Sequence, residues 1–164
     1  MVGNHELFNG GYDHYRDIFG KTNYHFELAG DLFLMLDAAT QSFSRDVFSY
    51  ASDLVQNPKF DKKMVFTHVT PVDQFGNRNN GFTSSFHAAR FLNVLQKNNV
   101  DMMFSGHIHS YQEYNVEGVK YYVVGTGGGI QEMFDGVQCR FLVVEKKQGE
   151  IEVEKVDLDC PNVF

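Results

Sequence analysis

Short apolar runs recur along the first two-thirds of the chain and mark candidate strands. Residues 32–36 and 64–66 are apolar at successive positions, and residues 100–104 are apolar except at Asp101, a pattern typical of strands buried on both faces of a sheet. The first run follows residues 24–28 after the turn sequence Ala29-Gly30-Asp31, which predicts an antiparallel hairpin with a three-residue turn. The apolar pattern therefore predicts a sheet whose central strands are covered on both sides.

Two amphipathic stretches separate these runs and predict helices. The first can be capped by Ser44 and ends before Asn57-Pro58, and the second begins near Ser84 or Ser85 and stops at Asn98-Asn99. Strands and helices that alternate in this way predict an α/β fold.

The rest of the chain predicts antiparallel pairing. Residues 112–116 and 119–124 flank Glu117-Gly118, the sequence of a two-residue hairpin turn, and residues 137–145 and 151–158 have the pattern of a second hairpin. No internal repeat or interdomain linker interrupts the sequence, so we expect one domain.

The two cysteines add little to this fold. In the second hairpin, Cys139 is expected opposite Val156 or Asp157, and Cys160 falls beyond this register. Because two cysteines without Cys-x-x-Cys spacing make no disulfide framework, we expect both to be free thiols.

Histidines follow two of the predicted buried strands. His68 comes after the second apolar run, and the third run breaks at Gly106, which is followed by His107 and His109. Residues two apart in an extended or sharply turning backbone project to the same side, so both imidazoles can reach one point or two adjacent points. Because ligand sites of α/β sheets collect at the carboxyl ends of strands, this pattern predicts a metal site. If the His-x-His sequence is considered alone, the alternative to a metal site is a pair of solvent-exposed histidines in a turn.

Composition and charge exclude several classes of function. The chain has 164 residues, of which 43% are hydrophobic, so it can bury a core and is not expected to be disordered. The formal net charge of −7 argues against nonspecific binding to nucleic acid or to an anionic membrane. No apolar stretch approaches the ~20 residues of a membrane span, and the start lacks the regions of a signal peptide. We expect a soluble chain with no targeting segment.

Three short motifs together resemble the calcineurin-like metallophosphoesterase family. They are Gly-Asn-His-Glu at residues 3–6, a single histidine after a central strand at His68, and Gly-His-x-His at residues 106–109. The resemblance implies an αββα sandwich of mixed sheets, and hydrolysis of a phosphate monoester or diester at a dinuclear metal centre. It also implies divalent cofactors such as Mn, Fe or Zn, and a small phosphorylated substrate.

The resemblance also implies a role for each matched residue. Asn4, His68 and His107 would be ligands of one metal ion, His109 would be a ligand of the other, and His5 would be the catalytic acid that protonates the leaving oxygen. Two divalent ions neutralise the charge of the phosphate, orient the ester and lower the pKa of a bridging water. An imidazolium, whose ordinary pKa is about 6.5, can then donate a proton to the departing oxygen.

The chain departs from the family pattern at its start. Family members carry Asp-x-His and Gly-Asp motifs before Gly-Asn-His, and neither precedes Gly3 in this sequence. Residues 1–164 would thus be the C-terminal portion of the family domain, incomplete at the N-terminus, with at most one weakly held metal and little or no activity. Loss of the first strands would strip neighbours from residues 32–36 or 100–104, and we expect a homo-oligomer that covers the exposed sheet.

Two other readings remain open. The chain could be a truncated, catalytically inactive metallophosphoesterase-like domain that acts as a metal-binding or interaction module. It could also be a mononuclear histidine-rich metal binder of unrelated fold, which requires that the three loops do not converge. Outside the three motifs, Asp37 is read as a structural hydrogen-bonding group, and the glycines at 125 and 127–129 as a tight turn beside the site. The remaining histidines, His14, His25 and His87, are read as structural or surface groups.

Overall fold

The computed structural model describes residues 1–74, 81–127 and 139–158. In chain order, its elements are a 3-10 helix at Asn4–Leu7, α1 at Gly11–Phe19, β1 at Tyr24–Leu28, β2 at Asp31–Leu36, α2 at Arg45–Val55, β3 at Lys63–Thr67, α3 at Ser85–Lys97, β4 at Met102–Ser105, β5 at Tyr111–Val116, β6 at Val119–Val124, β7 at Cys139–Lys147 and β8 at Glu150–Leu158. Within these residues, no helix combines the length and the apolar character needed to cross a membrane.

Six strands form one mixed sheet in the order β1-β2-β3-β4-β6-β5. The four central strands run parallel, and β1 and β5 are antiparallel edges. This arrangement confirms the predicted α/β class. The expectation that β2 or β4 lacks a neighbour is wrong, because β2 pairs with β1 and β3, while β4 pairs with β3 and β6.

Helices α2 and α3 cover one face of this sheet. The predicted caps are present: the Ser44 side chain accepts a hydrogen bond from Val47 N at 3.3 Å, and the Ser84 side chain accepts one from His87 N at 3.2 Å. The core between helices and sheet is made of fully buried aliphatic and aromatic side chains, among them Leu32, Leu34, Leu36, Ala51, Val55, Val65, Phe91 and Leu95. Burial of this apolar surface fixes both helices on the sheet.

A single lysine joins the ends of the two helices. Lys63 Nζ donates a hydrogen bond of 2.7 Å to the carbonyl of Val55, the last residue of α2, and one of 2.9 Å to the carbonyl of Asn98, just after α3. Burial lowers the pKa of Lys63, and nearby Asp101 opposes this effect. Lys63 thus satisfies carbonyls that a helix end leaves without an intrahelical partner.

The hairpin β7–β8 lies against the opposite face of the sheet, where aromatic rings form a row. Each ring of this aromatic row comes from the next strand: Phe26, Phe33, Phe66, Phe104 and Tyr122. Neighbouring ring centroids are 4.7, 6.3, 5.1 and 5.3 Å apart. The exposed fraction falls from 43% at Phe26 to 4% at Tyr122, because the hairpin covers only one end of the row.

Two details of the hairpins correct the sequence-based expectations. Asp31 pairs with Leu28, so the first turn has two residues rather than three, with φ of 51° at Ala29 and 84° at Gly30. Turns with two positive φ values match the twist of hairpin strands.

The last hairpin also differs from the expectation. Its turn pairs Lys147 with Glu150, and this register sets Cys139 opposite Leu158 rather than Val156 or Asp157. Cys139 is disulfide-bonded, so the free-thiol expectation is wrong for this residue. Cys160 lies outside the described residues.

Candidate metal centre

Three side chains from distant parts of the sequence converge at one end of the sheet. Asn4 Oδ1 lies 2.8 Å from His68 Nε2 and 3.1 Å from His107 Nδ1. The two imidazole rings are 5.3 Å apart between centroids and meet edge to face. The convergence of these loops rules out the alternative of a mononuclear histidine-rich metal binder of unrelated fold, which required the three loops to be separate.

The parallel pairing of β3 and β4 brings the two histidines together. Phe66 is opposite Phe104, and the ladder continues past the strands because Gly106 N donates a 2.9 Å hydrogen bond to the carbonyl of His68. Both loops leave the carboxyl ends of adjacent parallel strands, which is where α/β sheets present ligand sites. The predicted placement of the two histidine loops at this end of the sheet is therefore found.

His107 has a backbone conformation that is unusual for a residue with a side chain. Its φ is 65°, and Ile108 N donates a 2.7 Å hydrogen bond to the carbonyl of Gly106 across it. A second bond of the same span, also 2.7 Å, joins Ser110 N to the carbonyl of Ile108. Three-residue turns with positive φ are rare and strained, and such strain collects at functional sites. The turn centred on His107 places its Nδ1 atom 3.1 Å from Asn4 Oδ1.

A glycine from another strand end allows the histidine loop to adopt this shape. A Cβ atom on Gly125 would overlap the carbonyl oxygen of Ile108 and lie 3.1 Å from His109 Cα. Gly125 N also donates a 3.1 Å hydrogen bond to the carbonyl of Ser110. The sequence indicated only a tight turn beside the site at this position, whereas the structure shows close backbone packing. Gly127 is described as well, but positions 128 and 129 lie outside the described residues.

The first loop is also closely packed around His68. Gly3 N donates a 2.6 Å hydrogen bond to Glu6 Oε2, and a Cβ atom on Gly3 would lie 3.0 Å from His68 Cε1. Asn4 begins the 3-10 helix, and the bond between Gly3 and Glu6 caps the start of that helix. Glycine at this position leaves room for the imidazole.

Both converging histidines are held in the neutral form. Burial, followed by the nearby charge of His107, lowers the pKa of His68 to about 4. Burial also lowers the pKa of His107, and the charges of His109 and His5 add to that effect. The neutral imidazole is the form that binds a metal ion, because one of its ring nitrogens has a free lone pair.

The remaining predicted site residues lie around this cluster. His5 is exposed and His109 is half-buried, and both are close enough to influence the pKa of His107. Asp37 accepts hydrogen bonds from the Tyr12 hydroxyl at 2.6 Å and from Ala39 N at 3.1 Å, in agreement with a structural role.

The three converging atoms fit the donor set of a divalent transition metal ion. Two ligands that bind one ion at ~2.0–2.2 Å and at roughly right angles are about 3 Å apart, which is close to the 2.8 and 3.1 Å separations seen here. Within the described residues, no group of three or more His, Cys, Asp or Glu side chains is arranged to hold a metal. The amide oxygen of Asn4 lies beside the two imidazole nitrogens as a third polar atom.

Two of the solved structures that are similar to this chain come from lupin and Plasmodium. The chain is similar to a purple acid phosphatase from yellow lupin seeds, with a TM-score of 0.64 and 15% identity over 84% of this chain and 30% of the lupin chain. It is also similar to GAP50, the anchor in the inner membrane complex of Plasmodium, with a TM-score of 0.52 and 17% identity over 85% of this chain and 54% of that chain. The chain thus spans about a third to a half of the length of these two proteins.

Sequence comparison assigns the family. No curated protein sequence matches the chain significantly. The family model for calcineurin-like phosphoesterases matches residues 1–111, a segment that contains all three histidine motifs. The chain belongs to the calcineurin-like phosphoesterase family.

Proposed function

We propose that this protein takes part in metal-dependent hydrolysis of a phosphate monoester or diester, and that Asn4, His68 and His107 hold one divalent ion. The observation that carries the proposal is that one amide oxygen, Asn4 Oδ1, lies within 3.1 Å of two imidazole nitrogens. A bound divalent ion would neutralise phosphate charge and lower the pKa of a water molecule.

In this proposal, some residues of the cluster bind the ion and another residue donates a proton. Asn4 contributes a neutral oxygen and both histidines are neutral, so the cluster adds no negative charge that would weaken the electrophilic character of an ion. His5 is exposed beside the cluster, and we assign it the role of the acid that donates a proton to the leaving oxygen. His109 is proposed as a ligand of a second ion.

The second ion needs more donors than His109 alone. A dinuclear centre requires ligands on both ions and a carboxylate between them. We therefore propose that the 164-residue chain by itself binds at most one ion, weakly, and has little or no phosphoesterase activity. A second candidate function follows from the same donor set, since two histidines and one amide suit a catalytically inactive module that binds metal or a partner.

Metal binding to the purified full chain tests the proposal. We expect Mn²⁺ or Zn²⁺ to bind with a stoichiometry near one in equilibrium dialysis followed by elemental analysis. His68→Ala and His107→Ala should each weaken binding by more than about 100-fold, the upper end of what loss of an outer-shell partner produces. His14→Ala is the matched control, because His14 is an exposed residue of α1 outside the cluster.

Hydrolysis of 4-nitrophenyl phosphate by the same samples separates the two candidate functions. Turnover that disappears with the bound ion supports a hydrolase, whereas a bound ion without turnover supports the inactive module. Unchanged metal binding in both histidine variants would refute the assigned ligand set.

We also propose that a second copy of the chain covers the exposed end of the aromatic row. All five residues of β1 are exposed, and its face carries Tyr24, Phe26 and Leu28 with exposed fractions of 36%, 43% and 61%. An edge strand with apolar side chains is a template for pairing with another strand. An antiparallel pair centred on Phe26 under twofold symmetry would set His25 opposite Glu27 of the second copy.

Light scattering across a concentration series tests this self-association. The wild-type chain should form dimers, and Phe26→Lys should shift it to the monomer because two added charges would meet at the symmetry axis. Phe86→Lys is the control, since Phe86 is 71% exposed on α3, away from β1. A wild-type chain that stays monomeric at every concentration contradicts the proposal.

A further inference from the structure

A cavity of about 670 Å³ lies between α2 and α3, apart from the histidine cluster. Its lining combines cationic, aromatic and hydroxyl side chains, chiefly Phe43, Arg45, Phe48, Ser52, His87 and Arg90. None of these residues belongs to the candidate metal centre. We call this cavity the arginine cavity.

The two arginines bring positive charge to the cavity lining without a described carboxylate that pairs with either of them. The chain has a formal net charge of −7, and lysines 59, 62, 146, 147 and 155 and arginine 140 all form ion pairs. No ion pair within the described residues involves Arg45 or Arg90. The carboxylate next in sequence, Asp46, lines a different cavity together with Tyr24 and Tyr50. The arginine cavity is therefore a local concentration of unneutralised positive charge.

Contacts within the cavity hold its groups in place for an anion. The Arg90 guanidinium lies over the Phe48 ring, 4.1 Å from its centroid, and His87 Nδ1 lies 3.5 Å from Ser42 Oγ. Stacking on a ring leaves the edge of the guanidinium free, and that edge carries the donors that match a phosphate oxygen pair. Arg45 is the first residue of α2, where the helix dipole also favours an anion.

The size of the cavity and its aromatic walls indicate a ligand larger than an inorganic ion. Ligand pockets of ~300–1,000 Å³ usually surround small organic molecules, and the arginine cavity falls within this range. The half-buried rings of Phe43 and Phe48 add apolar surface to the lining, and one of them, Phe48, also contacts Arg90. A ligand with a dianionic end and a planar apolar body complements both parts of the lining.

We propose that the arginine cavity binds a small organic phosphate, whose anionic group is held by Arg45, Arg90 and His87 while its apolar body rests on Phe43 and Phe48. Ser52 supplies a hydroxyl that can donate to a phosphate oxygen. This site is independent of the proposed metal centre, because it uses no ligand of that centre.

Phenylphosphonate is a suitable probe because its carbon–phosphorus bond resists hydrolysis. We would titrate it into the ¹⁵N-labelled full chain in the presence of EDTA at constant ionic strength, and follow amide shifts by NMR. Saturable shifts are expected at Ser49, Ser52 and His87. Inorganic phosphate, which lacks the ring, and benzyl alcohol, which lacks the charge, should each bind at least about tenfold more weakly.

Variants of the two arginines complete the test. Arg45→Gln and Arg90→Gln should each weaken binding about tenfold or more, as expected for loss of a charge-assisted hydrogen bond. Both side chains are exposed, so the fold should persist, and Arg16→Gln removes the same charge from exposed α1 as a control. The proposal is overturned if phenylphosphonate gives no saturable shifts, if inorganic phosphate binds equally well, if both arginine variants bind normally, or if the shifts centre on His68 and His107.

Discussion

Gly125→Ala is expected to destabilise the fold by about 3 kcal/mol or more, the upper end of the cost of forcing extra atoms into a packed interior. The added Cβ would overlap the carbonyl oxygen of Ile108 and lie 2.5 Å from its carbonyl carbon. These are backbone atoms, so no side-chain rotation relieves the clash. Either the chain unfolds, or the loop that carries His107 moves away from Asn4.

Urea unfolding measures the loss of stability, and NMR of the histidine rings reports whether His68 and His107 stay together. Gly127→Ala is the matched control because nothing lies within 4 Å of a Cβ atom at Gly127. It should change the free energy of unfolding by less than about 1 kcal/mol. A Gly125→Ala chain as stable as the control, with unchanged histidine signals, would show that the contact with Ile108 is not close.

Lys63→Met is expected to lower the free energy of unfolding by about 2–3 kcal/mol, since hydrogen bonds to a charged donor contribute about 1.5–3 kcal/mol each and solvent can partly replace them. Methionine retains the apolar stem of the side chain but leaves the carbonyls of Val55 and Asn98 without their donor. Hydrogen exchange should show the earliest loss of protection in the last turns of α2 and α3.

The control for this variant is Lys59→Met. Lys59 forms an ion pair of 2.6 Å with Glu27, and both side chains are about half exposed. Such surface pairs contribute about 0–1 kcal/mol. If both substitutions have the same small effect, the bridge between the two helix ends does not stabilise the fold.

The central part of the fold was predictable because its sequence signals are local. Continuous apolar runs at β2, β3 and β4, helical spacing after Ser44 and Ser84, and a glycine at each hairpin turn all indicate the elements that form. Order along the chain then requires parallel neighbours, and parallel neighbours bring His68 and Gly106 to the same end of the sheet. The end of the sheet at which the two histidine loops lie thus follows from sequence patterns.

Features that depend on pairing between distant segments were not predictable. The register that sets Cys139 opposite Leu158, the exposed edge at β1 and the contact of Gly125 with Ile108 each result from tertiary packing. Lys63 gives no local sign that its ammonium group will reach two helix ends. Arg45 and Arg90 are 45 residues apart in sequence, so the cavity they share could be found only in three dimensions.

The hydrogen bond between Gly106 N and the carbonyl of His68 makes the histidine loops an extension of the sheet. Ordering of the donor atoms is thereby completed during folding, before any ion is bound. The entropy that is lost when these atoms are positioned is part of the free energy of folding. Little of that entropy cost therefore opposes binding of the proposed ion. Affinity for the proposed ion and stability of the sheet are consequently linked, so that a substitution deep in β3 or β4 that loosens their pairing would weaken the proposed site while leaving its side chains chemically intact.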